Sequence, residues 1–335
     1  MSTATPGQSV SVGQGDFQYE ALDCWAKLPE EWSFVEVAGA ATDSRDRVYV
    51  FNRGVHPVMV FDRDGKYLAS WGEGVIRRAH GIHIGPDDSV YLTDDLDHTV
   101  RKFTTDGKLL LTLGTSGKPS DTGIEGLDYR TIRHAGPPFH RPTNVALSAS
   151  GEIYATDGYG NARVHKFAPD GRLLHSWGEP GERPGQFNLP HCIAVDRNER
   201  VYVADRENSR IQIFSGRGEL IAIWTDVARP MQVFIDKSDT VFVAEVGFCA
   251  GLFPWLVPPP DPVGARLSIF NSDGKLLARW GGGDDPTACG DFFAPHDVWA
   301  DSRGDLYVGE VVMSAGGNRG LVPPTCHTLQ KFVRD

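Results

Sequence analysis

The sequence predicts an all-β chain folded as a six-bladed β-propeller, and three observations carry that prediction. A strand–turn–strand phrase recurs six times. Most copies continue into a third and a fourth apolar segment, the two joined by an Asp-Gly turn. The last copy lacks its fourth segment, while a spare segment precedes the first copy. The period is read before the individual elements, because a missed repeat misassigns the whole fold.

The six cores align without gaps. They are "AGAATDSRDRVYVFN" from Ala38, "HGIHIGPDDSVYLTD" from His80, "TNVALSASGEIYATD" from Thr143, "HCIAVDRNERVYVAD" from His191, "MQVFIDKSDTVFVAE" from Met231 and "HDVWADSRGDLYVGE" from His296. Each holds two short runs of alternating apolar residues, rich in β-branched and aromatic types, around a polar turn, which reads as a hairpin. Third segments such as "RVHKF" and "RIQIF" and fourth segments such as "KLLARWG" make four antiparallel strands per repeat, the unit of a propeller. With the strands labelled A to D outward from the channel, the sixth repeat stops after C, at "TLQKFVRD". "FQYEALDCWA" at 17–26 then supplies its strand D, closing the ring within one blade and pairing edges otherwise exposed. Residues 1–16 read as a disordered lead and 17–335 as a single propeller domain. The repeated "WG" at Trp71, Trp177 and Trp280 reads as packing on the outer strand.

Composition bounds the partners. A chain of 335 residues with 40% hydrophobic content can bury a large core. Its 33 basic and 44 acidic residues leave a net charge of −11, which argues against nucleic acid or an anionic membrane as a partner. No apolar run reaches the ~18 residues that span a bilayer. The N-terminus has neither the basic nor the apolar region of a signal peptide. Five scattered cysteines (Cys24, Cys192, Cys249, Cys289, Cys326) without a CxxC pair argue against a disulfide framework and fit a reducing cytoplasm. The oligomeric state is left open.

The first residue of each core lies at the start of strand A, at one end of the channel. Around the ring that position reads Ala38, His80, Thr143, His191, Met231, His296. Three imidazoles on alternate blades can converge on one ion and leave its fourth position open, as catalytic zinc sites do. Imidazole also suits copper, iron and nickel. A lone histidine would read as a hydrogen-bonded structural residue, but that does not explain three at one repeat position with threefold spacing. The next residue after the last histidine, Asp297, either binds a second, harder cation such as calcium with backbone carbonyls or satisfies loop amides.

The B–C loops emerge at the same end. Arg53 in "FNRG" and Arg206 in "ADREN" share a repeat position, and Tyr159 in "DGYGN" lies one place further on. Two guanidiniums beside a metal imply an anionic substrate, or else loop salt bridges. A tyrosine there can act as general acid or base where positive charge lowers its phenol pKa, or it simply packs. The acids Asp94, Asp157, Asp205, Glu245 and Glu310 recur in almost every blade and read as turn-stabilising. Insertions at 115–140, 246–265 and 311–325 all emerge on the histidine face, where long loops carry binding function. The second brings Phe248, Phe253 and Trp255 as an apolar wall or lid. The first brings His134 and His140, either surface groups or extra ligands.

The phrases "FHRPTNVALSASGEIYATDGYGNARVHKF", "WGEPGERPGQFNLPHCIAVD", "VYVADRENSRIQIF" and "FAPHDV" resemble NHL repeats. From about residue 35 to 335 the chain is similar to the peptidyl-α-hydroxyglycine α-amidating lyase family. That resemblance implies a catalytic zinc on His80 in "RAHGI", His191 in "LPHCI" and His296 in "APHDV". It also implies Tyr159 as catalytic tyrosine, Arg53 and Arg206 as active-site arginines, and a structural calcium at Asp297 with backbone oxygens near Ala40 and Ile82. The implied reaction is cleavage of the C–N bond of an N-acyl-α-hydroxyglycine to an amide and glyoxylate. Gly160, Tyr202 and Ile213 stand where secreted animal members carry disulfide cysteines, and Ala294 stands where the family has methionine. With these departures and the long insertions, the resemblance carries over the metal centre more than the peptide substrate. The propeller takes up nearly the whole chain, with no hydroxylating domain attached, which directs the expectation to a small anionic N-acyl or ureido substrate. Two other readings stand beside it: a metal-dependent hydrolase of an ester, lactone or amide using metal-bound water, and a non-catalytic protein-binding scaffold.

Overall fold

Residues 9–248, 251–252 and 255–335 are described by the structure, a computed structural model. Each of the six aligned cores forms strands A and B of one blade. Strand A is Val37–Thr42 in blade 1, Ala79–Ile84 in blade 2, Pro142–Leu147 in blade 3, Pro190–Val195 in blade 4, Pro230–Ile235 in blade 5 and Pro295–Ala300 in blade 6. Blades 1 to 5 are four-stranded sheets in the order A-B-C-D, and the whole is a six-bladed propeller. No helix among the described residues is long and apolar enough to cross a membrane.

Blade 6 closes the ring as expected. Its strand C, Leu329–Arg334, pairs with Phe17–Leu22 from the other end of the chain. The lead differs from the disordered segment expected over 1–16: Val10–Gln14 forms a fifth strand against Phe17–Leu22. Gly13 and Gly15 take positive φ at the hairpin turn, and Gln14 donates from Nε2 to the Leu277 carbonyl of blade 5 at 3.1 Å. The added strand covers an edge that would otherwise be open. Residues 1–8 lie outside the described residues.

The tryptophans pack as the "WG" repeat predicted. Each meets a strand-C phenylalanine of the next blade: Trp71 with Phe103 at 5.2 Å, Trp177 with Phe214 at 5.8 Å and Trp280 with Phe332 at 5.7 Å between ring centres. These contacts hold adjacent blades together by the same step repeated around the ring.

Two regularities position the site. In every blade the A–B ladder slips at the first residue of the core, for example between Val37 and Gly39, Ala79 and Ile82, and Pro190 and Cys192. The same slip occurs at Pro142/Asn144, Pro230/Gln232 and Pro295/Asp297. A bulge frees a residue from the ladder and re-aims its side chain. The freed residues are Ala38, His80, Thr143, His191, Met231 and His296. The second regularity is a brace. Asn52, Asp94, Asp157, Asp205, Glu245 and Glu310 at the end of strand B each accept from a backbone N–H 17 residues upstream, just before strand A. The five acids are thus turn-stabilising, as predicted, and asparagine does the same work in blade 1.

Candidate metal centre

The bulge explains how the imidazoles are held. His80 Nδ1 lies 2.6 Å from the Thr143 carbonyl, His191 Nδ1 2.7 Å from the Met231 carbonyl and His296 Nδ1 2.6 Å from the Ala38 carbonyl. Each even blade therefore supplies a histidine, and the bulged carbonyl of the next odd blade orients it. A proton on Nδ1 leaves Nε2 as a lone pair, and backbone acceptors of this kind fix the ring of a metal-ligating histidine.

The ligand nitrogens of the three rings lie within 4.8 Å of one another. Nε2 of His80 and of His296 is buried with no hydrogen-bond partner. An unsatisfied buried acceptor costs about 1–3 kcal/mol, and a metal ion at the point of convergence would relieve it. Burial first holds all three well below the usual imidazole range, with neighbouring imidazoles acting next on His80 and His191 and arginine guanidiniums, Arg53 among them, on every ring. They are neutral at pH 7, the ligating form. The residues fit a metal ion.

Tyr159 sits against this cluster, its hydroxyl 3.2 Å from His191 Nε2. Gly160 lets its loop pack, because a Cβ there would lie 2.2 Å from the His140 ring. Arg206 is 2% exposed, and its NH1 lies 3.5 Å from the Tyr159 hydroxyl and 3.9 Å from Met231 Sδ. Arg53 donates from Nε to the Ala79 carbonyl, beside His80, at 2.8 Å.

Residues 187–214 match the family model described as NHL repeat. The chain is 31% identical over 256 residues to NHL repeat-containing protein 3 of Mus musculus, covering 72% of this chain and 70% of that protein. The chain belongs to the NHL repeat family. This NHL protein is also 31% identical over 358 residues to peptidyl-glycine alpha-amidating monooxygenase of Mus musculus, covering 92% of this chain and 34% of that protein. It is 33% identical over 162 residues to peptidyl-alpha-hydroxyglycine alpha-amidating lyase 1 of Drosophila melanogaster, covering 45% of this chain and 27% of that protein. The chain thus spans about a third of the amidating enzymes it matches and 58% of NHL repeat-containing protein 3 of Homo sapiens. A gluconolactonase from Xanthomonas campestris superposes with a TM-score of 0.62 at 13% identity over 99% of both chains, a likeness of fold alone.

In this NHL propeller Asp297 lies in the next layer down the channel, apart from the imidazole cluster. Oδ2 accepts from the Ala40 N–H at 3.1 Å, and Oδ1 accepts from Gln232 Nε2. Gly39 makes room for it, since a Cβ there would lie 2.4 Å from Oδ2. Burial pushes the Asp297 carboxyl up to about 8, so a cation would be needed to hold it ionised at neutral pH.

The insertions meet over the site differently from the wall expected of Phe248, Phe253 and Trp255. Phe253 lies outside the described residues. Phe248 is partly buried under the Arg229 guanidinium, 6.0 Å from its ring centre. Trp255 is 45% exposed and donates from Nε1 to the Tyr129 hydroxyl of the first insertion at 3.1 Å. The buried apolar wall is made instead by Val246, Leu252, Val311 and Val312, packed with Met231. These side chains are smaller than the predicted aromatics and come from two insertions. His134 is exposed, and His140 bonds the Ser120 carbonyl through Nδ1 at 2.7 Å. Neither belongs to the cluster.

A collar of charge above the imidazoles was missed. Two places before each core begins stand Glu36, Arg78, Arg141, Leu189, Arg229 and Ala294. Arg53 pairs with Glu36 at 2.8 Å, Asp95 lies 2.6 Å from Arg78 and 3.5 Å from Arg141, and Glu207 lies 2.7 Å from both Arg206 and Arg229. Arg53 and Arg206 therefore each sit in a salt bridge and lie beside the imidazole cluster. Five arginines against three carboxylates leave two positive charges in excess. Arg141, Leu189 and Arg229 take φ of 66°, 66° and 51° before Pro142, Pro190 and Pro230, a left-handed conformation that recurs at this repeat position and costs about 1–3 kcal/mol. The repeat position two before the core was the available signal.

Proposed function

We propose that this protein is a zinc-dependent lyase that cleaves the C–N bond of a small anionic N-acyl- or ureido-α-hydroxyglycine, releasing an amide or urea and glyoxylate. The observation that carries this reading is the Tyr159 hydroxyl placed 3.2 Å from the nitrogen of a neutral, converging imidazole. Homology to amidating lyases, at about 30% identity, supports the same class of chemistry. Zinc on three neutral imidazoles would keep its full charge and acidify a hydroxyl bound to it.

Arg53 and Arg206 hold the substrate carboxylate, helped by the excess positive charge of the collar, and so fix the carbinol carbon beside Tyr159. The tyrosine oxygen takes the hydroxyl proton and returns it to the departing nitrogen. The C–O bond becomes C=O, and the C–N electron pair leaves with the nitrogen, so atoms and charge balance without water. The apolar wall of Leu252, Val311 and Val312 keeps competing water out. A carboxylate at Asp297 takes a structural cation, calcium by its oxygen donors. Cys24, Cys192, Cys289 and Cys326 carry free thiols, which supports a reducing, cytoplasmic setting.

The test is glyoxylate release from N-acetyl- and N-benzoyl-α-hydroxyglycine and from ureidoglycolate, with the zinc-loaded protein. Turnover of one of the three, lost on chelation, is expected. No glyoxylate from any of them, or oxygen-18 from labelled water appearing in the carboxyl group of released acetate or benzoate, would overturn it.

A further inference from the structure

The opposite end of the channel is built on another plan. The fourth residue of each core there reads Ala41, His83, Ala146, Ala194, Phe234 and Trp299 around the ring. Three are large and three are alanine. The large ones form an arc: Phe234 lies 4.7 Å from Trp299, and Trp299 lies 5.5 Å from His83, between ring centres. Ala146 and Ala194 face that arc and leave open the space that larger side chains would fill. The result is a cavity of about 770 Å³, walled also by Leu147, Val195 and Ile235. Pockets for small molecules run to roughly 300–1,000 Å³.

Asn144 and Gln232 form its floor, and they are bonded to each other at 2.8 Å. Through Gln232 they join Asp297, so one hydrogen-bonded layer separates the cavity from the imidazole cluster. His83 makes no hydrogen bond to any described residue and lines the cavity beside Trp299; as a neutral imidazole it offers one nitrogen to donate and one to accept. The acids at the rim are engaged within the protein: Asp46 with Ser302 and Arg63, Asp88 with Ser44, and Asp301 with Arg63. Asp43 is held by Arg47, and the cations of the lining, Lys237, Arg303 and Arg334, lie exposed at the rim, which leaves the aromatic inner wall without a charged group.

We propose that this mouth is a second binding site, for a small neutral planar molecule that lies against Trp299 and exchanges one hydrogen bond with His83 through a hydroxyl or carbonyl. It is independent of the reaction proposed above.

The probe is 2-naphthol, titrated by fluorescence and by equilibrium dialysis against the full chain. One saturable site is expected, weakened about tenfold by His83→Leu, as the loss of one hydrogen bond predicts. Val195→Trp, which fills the cavity, should abolish binding, while His80→Ala at the other end leaves it unchanged. Leu147→Trp fills the same space and replaces Val195→Trp should that variant not fold. Absence of saturable binding, binding that survives a folded plugging variant, or binding lost in His80→Ala would overturn the proposal.

Discussion

His80 Nδ1 lies 2.6 Å from the carbonyl oxygen of Thr143, a residue at the same repeat position in the next blade. The threefold set of such bonds aims three Nε2 atoms inward with no side chain as intermediary. Losing one ligand should therefore empty the site without unfolding the ring. His80→Ala is expected to lower metal affinity by more than the 10–100-fold that outer-shell changes cost, with the thermal melt of the metal-free protein nearly unchanged. Metal content after dialysis against a weak chelator measures it.

Tyr159→Phe keeps the ring that packs between His80 and His191 and removes only the hydroxyl. Metal content should stay at the wild-type level, while kcat for glyoxylate release falls about 10²–10⁴-fold, the range for a lost acid–base group. Equal losses in metal and in rate would give the tyrosine a structural role instead.

Glu207 is shared by Arg206 and Arg229, both buried. Removing the carboxylate leaves two close guanidiniums repelling each other in a dry site. Glu207→Ala should cost about 3–5 kcal/mol in urea unfolding, and Glu207→Gln, which keeps an acceptor oxygen, should cost less.

Asp297 gives the metal-free protein a pH signature. Its folded pKa, about 8, lies above the ordinary carboxyl value of 3.8 because of burial. Between those values the folded state holds a proton that the unfolded state has released. Stability therefore falls as pH rises from about 4 through 8. Urea melts in chelator at pH 5 and pH 8 should show this loss. Asp297→Asn should flatten it, and added calcium should restore stability at pH 8.

Much of the centre was legible because a propeller converts sequence period into angle. Once the six cores were aligned, His80, His191 and His296 fell on alternate blades, and the spare segment at 17–26 found its place in blade 6. The charged collar was equally periodic, two residues ahead of each core, but its members are mixed. Arg78, Arg141 and Arg229 share the position with Leu189 and Ala294, so no single residue type announced it. Val10–Gln14 was missed because its alternation of Val10 and Val12 stops at Gly13, too short a run to read, and the strand is stable only on the edge it covers.

The sequence by itself determined the repeat, the number of blades, the point of closure and which side chains stand at each ring of the channel. Local alternation and turn chemistry are enough for that. Tertiary structure alone decided which nitrogen of each histidine faces the axis, which carboxylate each arginine meets and where the insertions cross. Those depend on contacts between blades and on the bulge that lifts one residue from each ladder, and neither leaves a mark within a single repeat.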